Sequence, residues 1–416
     1  MICRRRLKEL WCFLLLVGVG CVNGQSSSVI DPTIQHDTAH LGGADYPSSD
    51  DLVAMHKANY VFRGRDGKLT RVTVEKSRLP FDDKFHPQGG LIYHARDDLI
   101  YVRQVQILSK STDGGRSWTS REITPTPEGF SEDWAVLHDG TFVRVTMKIG
   151  PGAIEPAKVF RSNDEAETWT EIGSIPTQVT GGYEARYSHW AMTKLRDETL
   201  FLAMDLRDEQ YGGERFLSAG TLLVGYRSRD GGKTWRGPIK ICEWVAEGGM
   251  TRVPSGRLLA SVRYQRGPLP TDTPAIRKIT NKPDGGFKHH FLIESDDDGL
   301  TWGNLRPLTT IHGQCYGYPA AQSDGTVVVI HDTRYGPGPD AARAMISHDE
   351  GRTWEDEVYY LYFDTGVSSY SRSVVLGDDT ILTVGGTSSH PGAKQKWTHA
   401  IGHSNLTAIR WKPVKE

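Results

Sequence analysis

The sequence predicts an all-β chain folded as a six-bladed β-propeller of four-stranded antiparallel blades. Three observations predict it. A motif of the form Ser-x-Asp-x-Gly-x-Ser/Thr-Trp recurs at intervals of roughly fifty to seventy residues, the signature of stacked equivalent units; its five copies begin at Ser111, Ser162, Ser228, Ser295 and Ser347 and end on Trp118, Trp169, Trp235, Trp302 and Trp354. Six turn clusters, at Arg96-Asp97-Asp98, His138-Asp139-Gly140, Arg196-Asp197-Glu198, Pro254-Ser255-Gly256, Ser323-Asp324-Gly325 and Gly377-Asp378-Asp379, sit between alternating apolar segments and read as hairpins. No long stretch carries helical periodicity, whereas 45 glycines, 11 tryptophans and 16 tyrosines suit turn-rich sheet.

At the N-terminus, Arg4, Arg5, Arg6 and Lys8 precede an apolar run over residues 10–19, and Val22-Asn23-Gly24 supplies small residues before Gln25. Residues 1–24 therefore read as a signal peptide, which makes the mature chain secreted or periplasmic. The apolar run is short for a membrane span. Gly18-Val19-Gly20-Cys21 offers the alternative of lipid anchoring at Cys21.

Residues 25–416 read as one propeller domain, with blades starting near 85, 130, 187, 247, 316 and 369. In each repeated motif the Asp carboxylate caps its own backbone amides while the Trp ring enters the apolar layer between sheets. The second copy places Ala166 where Gly is expected. The first five hairpins are each followed by one motif and the sixth is not. This predicts a last blade closed by the N-terminal segment, around Tyr60-Val61-Phe62 or Leu69-Thr70-Arg71-Val72.

A formal charge of −2 gives no polyelectrolyte signature and speaks against nucleic acid as a partner. Cys242 and Cys315, the cysteines beyond the leader, read as buried thiols or as a disulfide if their strands approach. His289-His290 reads as a solvated pair, and no His/Cys set has metal spacing; neither metal nor cofactor is expected.

Inner strands of a propeller converge on one axis, so chemistry is sought where each begins and where the next ends. Those positions hold His86, Asp133, Glu247, Tyr370, Arg207, Arg263 and Arg334. Arginine's planar fork suits a carboxylate, so this rim suits an acidic sugar.

The combination resembles the sialidase superfamily, whose members carry such Asp-box repeats. Glu247 followed sixteen positions later by Arg263, then Arg334 in His331-Asp332-Thr333-Arg334, then Tyr370 in Ser368-Ser369-Tyr370-Ser371, match that family's order of residues. The resemblance implies an exported exo-glycosidase removing a terminal acidic sugar from a glycan. Tyr370 would be the nucleophile and Glu247 its base, and the arginines would hold the substrate carboxylate. A tyrosine suits a substrate whose own anomeric carboxylate would repel a carboxylate nucleophile. The first blade departs from the pattern. Phe85-His86-Pro87 stands where Arg is usual, Ser77-Arg78-Leu79-Pro80 lies several residues early, and 101–106 has no carboxylate. Arg78, His86 or Arg103 is the substitute arginine position, and Asp133 is the favoured proton donor over Glu184, Asp205 and His189. Two alternatives stay open: a hydrolase or lyase for another acidic sugar, and a carbohydrate-binding propeller without turnover. The Pro-rich insertion at 265–288 reads as a specificity loop or a surface decoration.

Overall fold

The computed structural model describes residues 60–64, 68–72, 74–80, 90–104, 106–148, 155–176, 183–187, 192–208, 221–243, 245–266, 274, 287–308, 314–333, 341–354, 358–363, 371–388 and 404–414. They form six antiparallel sheets arranged as a six-bladed β-propeller. The innermost strands are, from blade one to blade six, Leu91–Arg96, Phe130–Val136, Tyr183–Tyr187, Val245–Arg252, Gln314–Ala321 and Arg372–Val375. In blade three the short strand Thr193–Lys194 pairs further along the same neighbour, Leu200–Asp208. Residues 1–24 and most of the 265–288 insertion lie outside the described residues.

Closure differs from the sequence expectation by one strand. Glu75–Arg78 completes blade six beside Ser404–Trp411. Tyr60–Arg63 and Leu69–Val72 instead extend blade five beyond Val358–Phe363. The reason lies in the pattern: Glu-Lys-Ser-Arg is largely exposed and has no apolar residues to announce a strand, whereas Tyr-Val-Phe is an apolar run.

The five Ser-x-Asp turns share one hydrogen-bond scheme. In blade five the Gly351 amide donates to Ser347 Oγ at 2.8 Å, the Thr353 amide donates to Asp349 Oδ1 at 2.8 Å, and the Thr353 hydroxyl donates to Asp349 Oδ2 at 2.5 Å. Each turn holds two successive residues in the left-handed region, Glu350 and Gly351 here. Each motif Trp packs towards the preceding blade. Trp118 joins Leu376 and Leu382 of blade six, Trp169 joins blade one, Trp235 joins blade two, Trp302 meets Phe201 edge-on, and Trp354 packs on Leu259 and its neighbours. Burying these rings against the neighbouring sheet, at ~25 cal/mol per Å² of apolar surface, ties the blades into a ring.

The turn glycine is fixed by the same contact. At Gly351, φ is +81° and a Cβ would stand 2.5 Å from Leu259 Cδ2. Ala166, also left-handed at φ 68°, is instead received into the core between blades one and two.

Two outcomes are expected. Gly351→Ala lowers unfolding free energy by about 2–4 kcal/mol, adding left-handed strain to overpacking, while Ala166→Gly stays within about 1 kcal/mol of the parent because relieved strain offsets a lost buried methyl; urea melts of both variants check this. Hydrogen bonds from the Ser162 and Thr168 hydroxyls and the Thr168 amide hold Asp164 down to about 2. A depressed carboxylate stabilises the fold above its unfolded pKa, so this contribution disappears as pH falls from about 4 towards 2. Thermal melts should lose less stability over that interval in Asp164→Ala than in the parent.

Candidate active site

The inner strands bring a polar cluster to the axis. Along Phe130–Val136, alternation sends Trp134 and Val136 into the core with blade one and Ala135 towards blade three. Asp133 shares the parity of Ala135. It is 4 % exposed, and its Oδ2 is buried with no hydrogen-bond partner. Burial pushes this carboxyl up to about 8, the Arg372 and Arg103 charges pull it down without overcoming that, and the Glu132 carboxylate raises it further. At neutral pH Asp133 is therefore mostly a neutral acid.

Around it stand groups from four blades. Arg103 is ion-paired with Glu132, donates to Thr126 Oγ1 at 3.0 Å, and lies 4.4 Å over the Trp134 ring. Tyr93 is buried at the next inner strand, and burial pushes its phenol well up. Arg372, the first residue of its inner strand, lies 4.6 Å over the Tyr318 ring and donates to the Tyr318 hydroxyl at 3.3 Å. Its Nε and Nη1 are buried without a hydrogen-bond partner. Tyr93, Tyr318 and Arg372 line the inner end of an axial cavity of about 690 Å³.

Glu247 is set by a bulge. Ala246 pairs with Arg263 and Gly248 with Val262, which leaves Glu247 as the extra residue of the inner strand. Bulges of this kind re-aim a side chain. Gly248 is required there, because a Cβ would come 1.9 Å from the Ser261 carbonyl oxygen. Glu247 is buried and ion-paired with Arg263, itself buried. Blade five has a matching irregularity between Cys315 and Tyr318. There the Gly317 amide donates to His290 Nε2 at 2.7 Å, which leaves the ring proton on Nδ1, facing Ser261 Oγ at 3.5 Å. His290 is thus fully buried, a correction to its reading as part of a solvated pair. Its strand neighbour Phe291 packs on Tyr264.

The structure places Asp133, Glu247 and Arg263 on buried inner or second strands. Arg78 lies exposed on the outermost strand of blade six, opposite Thr407, away from this cluster. Arg207 has its backbone opposite Glu184 in blade three, and its side chain is outside the described residues. Tyr370, Arg334 and His86 are also outside them. Glu132 and Arg372 stand at the strand beginnings where the sequence places chemistry, without an assigned role there. Tyr93 escapes the sequence reading, because it sits inside an apolar run and nothing in the run separates it from core.

The propeller thus holds a buried neutral acid on one inner strand and a buried carboxylate–arginine pair across the inner and second strands of another blade. No known protein-family model matches the chain. Over 132 residues it is 28 % identical to a xyloglucanase from Paenibacillus sp, a stretch that spans 31 % of this chain and 12 % of that protein. Among solved structures, a Dyadobacter fermentans protein of unknown function superposes with a TM-score of 0.57 at 17 % identity, covering 81 % of this chain and 98 % of that one. A Hadza microbial sialidase gives 0.53 at 16 % identity over 83 % and 69 %. The α-L-arabinofuranosidase of Fusarium graminearum gives 0.50 at 13 % over 81 % and 97 %. These likenesses establish the shared propeller fold.

Asp133 yields a stability signature. Its folded pKa is raised, so its favourable contribution is complete below the unfolded value near 4 and declines as pH rises towards 8. Denaturant melts should therefore show Asp133→Asn gaining stability relative to the parent between pH 5 and pH 9; an unchanged difference would contradict the assignment.

Proposed function

We propose that this protein is an exported glycoside hydrolase that removes a terminal acidic sugar, sialic acid or a relative of it, from a glycan. The observation that carries the proposal is the contrast between two buried carboxyls, Asp133 held neutral by burial and Glu247 held against Arg263. A carboxyl kept neutral by burial suits a proton donor, which leaves Glu247 as the proton acceptor. The sialidase and arabinofuranosidase among the structural neighbours, and the xyloglucanase segment, support a glycosidase. The basic and apolar leader at residues 1–24 supports export.

In the proposed reaction the substrate carboxylate is held by Arg263 and Arg334, with Arg207 or His86 as a further contact. Tyr370 attacks the anomeric carbon while Glu247 takes the phenolic proton, since a phenol's ordinary pKa of about 10 leaves it a weak nucleophile unaided. Asp133 passes its proton to the departing glycosidic oxygen. Water then attacks the glycosyl–tyrosine bond, giving a proton to Asp133, and the tyrosine oxygen recovers its own from Glu247. Both residues end in their starting states.

A second reading, a hydrolase or lyase for another acidic sugar, is favoured by Arg78. It sits on the outer strand of blade six, which leaves the expected set of carboxylate-binding arginines one short.

With a fluorogenic N-acetylneuraminic acid glycoside, the parent should release fluorophore and Tyr370→Phe should lose it by about 10³-fold or more. Asp133→Asn should lose about 10²–10⁴-fold on a natural glycan and much less on an aryl glycoside, whose leaving group needs little protonation. No release by folded parent protein, with turnover of a uronic acid glycoside or an ultraviolet-absorbing unsaturated product, would move the assignment to the second reading.

A further inference from the structure

The axial cavity runs from Tyr93, Tyr318 and Arg372 to the inner hairpin turns, where Arg96, Asp97, His138, Arg196 and Asp379 line it. Charge at the turn end is unbalanced. Its carboxylates are engaged by the ring itself: Asp97 accepts the Gly377 amide at 2.9 Å and lies 3.0 Å from His94, and Asp379 accepts the Ser323 amide at 2.8 Å. Arg96 pairs with Asp98, and Arg252 with Asp298.

Lys194 and Arg196 have no such partner among the described residues. Both reach from blade three to backbone oxygens of other blades. Lys194 Nζ donates to the Ala95 carbonyl of blade one at 3.1 Å, and Arg196 Nη2 lies 3.4 Å from the Ala321 carbonyl of blade five. His138 Nδ1 meets the same Ala95 carbonyl at 3.2 Å. Lys194, His138 and His94 therefore gather from three successive blades around one point of the cavity wall. Burial lowers the Lys194 pKa against the opposing Glu198 and Asp139 charges, and burial followed by the Lys194 charge lowers that of His94 against the opposing Asp97.

We propose that the hairpin end of the axis is a second ligand site, independent of the hydrolytic one, that receives a tetrahedral oxyanion: a phosphate or sulfate, free or as a sugar ester. Donors arriving from blades one, two and three surround an anion on several sides, which suits a tetrahedral group more than a planar carboxylate. A cavity of about 690 Å³ also leaves room for an attached monosaccharide. Neither Lys194 nor Arg196 has a part in the proposed hydrolysis, so the two readings fail separately.

Calorimetric titration of the full chain with inorganic phosphate, glucose 6-phosphate and glucose, at one ionic strength held with sodium chloride, tests the site. Phosphate should bind saturably, and Lys194→Met and the exposed-site variant Arg196→Met should each weaken it about tenfold or more. Tighter binding of glucose 6-phosphate identifies the ester as the ligand, and equal binding identifies the free ion. Phosphate heats no larger than those of the salt control, or the same affinity in both folded variants, would overturn the proposal.

Discussion

Each blade grips the one before it through an acid at a tight turn, and the geometry of the axis depends on that grip. Asp97 of blade one accepts the Gly377 amide of blade six, Glu198 of blade three the His138 amide of blade two, and Asp379 of blade six the Ser323 amide of blade five. Turns on the outer strands do likewise: Glu350 of blade five accepts the Ser255 amide of blade four, Asp298 of blade four pairs with Arg227 of blade three, and Glu165 of blade two with Lys110 of blade one. All six contacts point backwards round the ring, as do the motif tryptophans. A fixed ring of sheets gives every inner strand the same tilt and height, so polar side chains from different blades meet with little freedom to move apart.

That convergence explains why two carboxyls in one ring differ. Asp133 is buried on its inner strand, and the charges of Arg372 and of Arg103, itself paired with Glu132, do not offset that burial. Desolvation wins, and the acid keeps its proton. Glu247 is equally buried, but a bulge aims it at Arg263. Backbone irregularity at one position and regular alternation at the other thus give the two carboxyls different partners. The axis joins two ends through the same strands: polar inner segments towards one, hairpin turns towards the other.

Much of this architecture is legible in the sequence. Five repeats and six hairpins predict the blade count, because turn chemistry and tryptophan plugging are local and recur with the repeat. The closing strand was misread, since Glu75–Arg78 is held by its neighbour Ser404–Trp411 and not by an apolar pattern of its own. Asp133 and the Glu247–Arg263 pair were readable from their places on the strands. Their protonation and pairing were not, because burial depends on what other blades place beside them. Arg372 is readable as a strand-beginning residue, but its role is not, because its partners Tyr318 and Asp133 are remote in sequence. His290 looks like a surface residue beside His289 until the blade-five irregularity covers it.

The account rests on a neutral carboxylic acid at the axis at physiological pH. Infrared difference spectra of the intact protein across pH 5 to 9, with Asp133→Asn as the reference, observe it directly. A protonated-carboxyl carbonyl band that is absent from the variant and disappears with a midpoint near pH 8 is the predicted result. A band that is already gone at pH 5, or one that the substitution leaves in place, would contradict it.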